Sequence, residues 1–88
     1  MITEFSKTLE LNPLDVLGKS RVHPLPLARQ MYWKCLREKT AYTFQTIGRL
    51  NERSHATILN GIKKVNDLLS INDKLAVGMW EKVKGINN

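Results

Sequence analysis

One cysteine is too few for an internal disulfide. Cys35 stands alone, so the chain is no disulfide-stapled scaffold, and a free thiol of this kind suits a reducing compartment. Histidine is scarce too. His23 and His55 are the only two, and with Cys35 they lack the close spacing that holds zinc. Long apolar runs are missing, so no segment has the length to cross a bilayer. The opening MITEFSKTLE carries Glu4 and Glu10 without an apolar stretch, which reads against a signal peptide. Carboxylates are few and scattered, with no pair suited to acid–base work. Cys35 falls in an apolar stripe, where thiols are usually inert, so a Cys–His nucleophile is unsupported. The expectation is a cytoplasmic, nucleoid-associated protein that is not an enzyme. It should need no cofactor, metal, membrane or small-molecule substrate.

Acid is scarcest in the middle of the chain. From Lys19 to Lys64 there are ten Lys or Arg against two acids, Glu38 and Glu52, so the segment carries +8 of an overall +6. The two ends sum to −2. A basic centre with faintly acidic flanks suits either a polyanion-facing surface or an ordinary solvated face. At 88 residues the length fits one domain spanning 1–88, with no repeat, linker or low-complexity tract.

No segment alternates with period two, so strands are not expected. Ile2, Phe5 and Leu9 share a face of one short helix. Asn12-Pro13-Leu14-Asp15 starts another, with Asn12 as cap, and Gly18 stops it. Residues 18–26, GKSRVHPLP, read as a loop, with Pro26 opening the next helix. There Ala28, Met31, Tyr32, Cys35 and Leu36 form the inward stripe, with Arg29, Lys34 and Arg37 on the opposite side. Trp33 and Trp80 read as core or core-edge residues. Thr43 caps a short helix with Phe44, Ile47 and Leu50 inward. Ser54 caps a long one with Ile58, Gly61, Ile62, Val65 and Leu69 inward. Ser70-Ile71-Asn72-Asp73 resembles a capping box before a last helix bearing Leu75, Met79, Val83 and Ile86. The predicted fold is all-α, a small bundle of five to six helices.

Two helices joined by the tight turn Asn51-Glu52-Arg53, the second opening on small polar residues, form a helix-turn-helix pattern. At about 100° per residue, Ala56, Asn60 and Lys63 point away from the core stripe. Thr57 and Lys64 flank them, and His55 sits on the first turn. A helix end that enters a major groove must be slim and free of acid. Gly61 lies in the inward stripe, which suits a neighbouring helix that comes very close.

These residues resemble the C-terminal DNA-binding domain of the bacterial replication initiator DnaA. That family has a basic loop, an Arg-Gln pair opening a long helix, Ile-Gly in the first helix of the helix-turn-helix, and Arg-Asp-His-Ser/Thr-Thr-Val at the recognition helix. Here stand Lys19-Ser20-Arg21, then Ala28-Arg29-Gln30-Met31, then Ile47-Gly48-Arg49-Leu50, then Arg53-Ser54-His55-Ala56-Thr57-Ile58. The order holds from about Leu9 to Ile86. Two positions depart: the signature Asp is Ser54, and the first hydroxyl residue is Ala56. Nothing resembles the phosphate-binding GxxxxGK[ST] loop of the initiator's ATPase. A complete gene product of this length is therefore expected to be a reader without a motor.

The resemblance implies double-stranded DNA as partner and a role in replication initiation or its regulation. It implies that Arg21, beside Lys19 in the loop, reaches the minor groove. Arg29 and Gln30 contact DNA at their helix start, and Arg53, Ser54, His55, Ala56 and Thr57 serve the major-groove helix. Helix geometry adds Lys63 and Lys64 as phosphate contacts. His55 outside this context reads as a cap or face residue, and His23 as a loop residue. The alternative function is a protein-interaction module that regulates a replication initiator, and the changes at Ser54 and Ala56 favour it.

Overall fold

Four of the six helix starts in this chain are fixed by side-chain oxygens. In a computed structural model, which describes residues 1–86, those residues form six α-helices and no strand. They are α1 (Ile2–Thr8), α2 (Pro13–Leu17), α3 (Leu25–Lys39), α4 (Phe44–Leu50), α5 (His55–Ser70) and α6 (Lys74–Val83). Asn12 Oδ1 accepts from Leu14 N at 2.8 Å, Thr43 Oγ1 from Thr46 N at 3.1 Å, and Ser54 Oγ from Thr57 N at 3.2 Å. Each bond satisfies an N–H that the helix itself leaves without a partner. All three caps are those the sequence predicts. The fourth differs: Ser70 ends α5, and Asp73 alone caps α6, accepting from Ala76 N at 3.0 Å.

Helix α3 is the hub, packed against α2, α4, α5 and α6. Its stripe Ala28, Met31, Tyr32, Cys35 and Leu36 is buried as expected, joined by Trp33. Phe5 of α1 reaches the same core and meets the Tyr32 ring at 5.4 Å between centroids. Burial pushes the Cys35 thiol up to about 12, which leaves it protonated and unreactive.

The structure corrects the reading of the other side of α3. Arg37 is exposed, but Arg29 and Lys34 are buried. The Lys34 ammonium pairs with Glu38, donates to Asn66 Oδ1 at 2.7 Å and lies 4.7 Å from the Trp80 ring centroid. A cation can leave water when such partners replace its hydration. Apolar periodicity is blind to this, because it counts a charge as a surface residue. Two leucines are corrected outward: Leu50 is 59 % exposed and Leu75 40 %, while Ala76 takes the inward place in α6.

Two glycines set the helix-turn-helix geometry. A Cβ on Gly61 would lie 2.6 Å from the Trp33 ring, so its absence seats α5 directly on the α3 indole. The neighbouring helix expected there is α3, and it makes its close approach through the Trp33 and Gln30 side chains. A Cβ on Gly48 would overlap the Arg53 carbonyl oxygen. Instead the chain folds back tightly, and Gly48 O accepts from Arg53 N at 2.7 Å. Within that turn Glu52 takes φ 56°, a left-handed conformation that is costly with a side chain attached.

Two stability predictions follow from this turn and its control. Gly48→Ala should lower stability by about 1–3 kcal/mol through backbone overpacking. Gly78→Ala, on an exposed face of α6 with open space around it, should raise stability by about 1 kcal/mol through helix propensity. Urea melts of both variants check the opposite signs. Glu52→Gly should stabilise by about 0.5–1 kcal/mol, the relieved strain less glycine's larger unfolded-state entropy. Thermal melting tests this, and an unchanged or lower midpoint contradicts it.

Candidate nucleic-acid interface

Helix α2 has only five residues and no cation in its last turn. Its final carbonyls must find donors elsewhere. Arg29 reaches back from α3 to supply them. Its Nε donates to Val16 O at 2.8 Å, Nη2 to Asp15 O at 3.0 Å and Nη1 to Ser20 O at 3.1 Å. One guanidinium fork thereby closes the end of α2 and ties down the start of the loop. Burial, and then the neighbouring Arg53 charge, hold Arg29 below the usual arginine range.

Arg53 approaches from the helix-turn-helix turn. Its Nη1 donates to Asn51 O at 2.6 Å and its Nη2 to Gly18 O at 2.7 Å. The guanidinium carbon lies 5.7 Å from the Trp33 ring centroid, within cation–π range. Arg53 thus links three parts: the turn, the loop and the indole that supports Gly61.

Around these anchors opens a groove of about 560 Å³. Lys19, Arg21, Pro26, Arg29, Gln30, Trp33, Arg53 and Thr57 line it. Six of the predicted site residues meet here although they span 39 positions of sequence, from Lys19 through Thr57. Four are cations and none of the lining residues is an acid. Such a wall concentrates positive potential in a concave surface.

The remaining predicted residues lie on α5. Ser54, His55, Ala56 and Thr57 are all exposed at its first turn, and Lys63 and Lys64 are exposed farther along. The Ser54 and Thr57 hydroxyls lie 3.0 Å apart and share a hydrogen bond. Ser54 is therefore already engaged twice, by the backbone cap and by Thr57. No acid occurs from Arg53 to Asn66 along this helix.

Periodicity puts Arg29 on a solvent face. The structure puts it 7 % exposed, with three of its N–H groups spent on carbonyls. The carbonyl bonds of Arg53 are likewise invisible to periodicity. The available signal was the brevity of α2: a five-residue helix followed by an exposed loop leaves carbonyls that some donor must satisfy. Trp33 is core, as its place in the sequence predicts, and its flank also forms part of the groove wall.

Among the described residues no group of three or more His, Cys, Asp or Glu side chains gathers to hold a metal, and no helix is long and apolar enough to cross a membrane.

Comparison with known proteins bears on the helical pair at the centre of this surface. Residues 2–65 match the bacterial dnaA protein helix-turn-helix family. The chain is 31 % identical over 65 residues to chromosomal replication initiator protein DnaA 2 of Protochlamydia amoebophila, covering 74 % of this chain and 14 % of that protein. It is 25 % identical over 81 residues to DnaA 1 of Chlamydia muridarum, covering 89 % and 18 %. Against DnaA of Tropheryma whipplei strain Twist it is 31 % identical over 64 residues, covering 73 % and 13 %. The chain therefore spans less than a fifth of the length of these relatives. No solved structure matches. With α4, the turn and most of α5 inside the matched stretch, the chain belongs to the bacterial DnaA helix-turn-helix family.

Proposed function

We propose that this chain binds double-stranded DNA, with the first turn of α5 in the major groove and the loop between α2 and α3 placing Arg21 in the adjacent minor groove. The observation that carries this reading is the acid-free groove. It joins Lys19 and Arg21 of the loop to Thr57 at the start of α5. A slim helix end and a basic loop on one surface suit simultaneous approach to a base edge and a phosphate backbone. Ala56 and Thr57 supply short side chains at the tip beside the His55 imidazole, and Lys63 and Lys64 extend the positive surface along the helix. The relatives are named as chromosomal replication initiators, which supports a role in replication initiation or its control. Arg29 and Gln30 line the groove from α3.

The second reading is a protein-interaction surface. It draws on Leu59 of α5 and Leu50 of α4, 45 % and 59 % exposed, beside the helix-turn-helix. The two readings diverge in salt. Neutralising about five phosphates should give log K against log salt a slope near −4 to −5 on random duplex. A titration across salt concentrations measures this. A flat response, or no binding at about 50 mM salt, removes the DNA reading in favour of the protein one.

A second prediction concerns the two signature departures. Ser54 keeps the cap but lacks a carboxylate to select cytosine. Ala56 leaves an outward position without a hydrogen-bonding group. Each base contact is worth about 1–3 kcal/mol. Ser54→Asp with Ala56→Thr should therefore narrow the selected motif. It should also weaken non-specific affinity, since a carboxylate opposes phosphate. Binding-site selection on the wild type and the double variant checks this. Identical motifs would show that positions 54 and 56 do not read bases.

A further inference from the structure

Lys19, Ser20, Arg21, Val22 and His23 are all exposed, so the loop that bears Arg21 has almost no packing of its own. Its internal ties are short-range: Val22 N donates to Ser20 Oγ at 3.2 Å, and Leu25 N donates to Val22 O at 2.8 Å. Its position relative to the rest of the molecule comes from two guanidinium groups. Arg29 fixes Ser20 and the end of α2, and Arg53 fixes Gly18. Arg53 also immediately precedes Ser54, the cap of α5. The residue that seats the loop is thus one peptide bond from the start of the recognition helix.

We propose that Arg29 and Arg53 are positioning residues that lock the Arg21 loop to the base of α5, so that loop and helix meet one duplex in a fixed relative register. This rests on the DNA reading above. It differs from the roles that the family resemblance implies, in which both arginines touch DNA. The chemistry favours the positioning role because their forks are already directed at carbonyl oxygens. Three Arg29 N–H groups and two Arg53 N–H groups have protein acceptors. Lysine keeps the charge but cannot span several carbonyls from one planar fork. The loop would then sample many positions, and Arg21 would lose the preorganisation that a groove contact needs.

The test is a double-mutant cycle of Arg21→Ala with Arg29→Lys on a selected duplex. Arg21→Ala should weaken specific binding about tenfold. Arg29→Lys should weaken it comparably although the charge is unchanged, and the double variant should bind within about twofold of either single, because both remove the same contribution. Site selection on Arg29→Lys should lose preference at the positions facing the loop and keep it at those facing α5. Additive losses would make Arg29 an independent DNA contact. Wild-type affinity in Arg29→Lys would show that charge alone suffices. Either result overturns the proposal. Arg53→Lys, which gives up the bonds to Asn51 and Gly18 and the guanidinium contact with the Trp33 ring, is the second variant should Arg29→Lys fold poorly.

Trypsin provides a readout without DNA. In both lysine variants, cleavage after Lys19 and Arg21 should accelerate at temperatures well below the melting midpoint. Unchanged cleavage contradicts the lock. If wild type binds no duplex, the functional reading fails, yet this assay still decides whether the two arginines hold the loop.

Discussion

A five-residue helix cannot satisfy its own carbonyls, and much of the basic surface depends on how that deficit is met. The deficit at the end of α2 is met by cations from two distant places in sequence, Arg29 on α3 and Arg53 in the turn before α5. A carbonyl end carries partial negative charge, so a guanidinium is a better partner than a neutral donor. The same bonds draw two like charges close together, and Arg29 feels Arg53 as a repulsive neighbour. The carbonyl dipoles between them make that proximity tolerable. Positive charge is thereby concentrated in one groove without an acid to neutralise it.

The second constraint is the seat of α5. Trp33 fills the space that Gly61 leaves open, and Arg53 lies over the same indole. Helix position and loop position are therefore referred to one rigid aromatic group. Gly48 completes the frame by letting the turn close on Arg53. The first turn of α5 thus stands on a support defined by α3, the turn and the loop together, while its own side chains remain free of packing duties.

Much of this was legible in the sequence because it is local. Asn12, Thr43 and Ser54 cap the helices that they precede, and the stripes Ala28–Leu36 and Ile58–Val65 point inward as their spacing requires. The bundle and the helix-turn-helix follow from those signals. Partnership between distant residues was not legible. Arg29 and Lys34 look solvated by periodicity, and only the approach of Val16, Ser20, Asn66 and Trp80 in space makes them interior. Leu50 sat in phase with Ile47 but no element covers it. Ser70 looked like a cap because the true cap, Asp73, lies three residues beyond. Of the site, the residue types were readable, and the division between those that face outward and those that hold the frame was not.

The core does not stop where the family match stops. The matched stretch ends at residue 65, yet Ala76, Met79 and Val83 of α6 close the same hydrophobic cluster as Met31 and Val65. The unit that folds is therefore longer than the helix-turn-helix alone. Helix α6 is tied to the rest by Ala76, Met79 and Val83 together with Trp80 beside the Lys34 ammonium, and none of its residues lines the basic groove. Its outer surface is free to diverge in composition without touching the groove, whereas its inner face is answerable to the same packing as the helix-turn-helix itself.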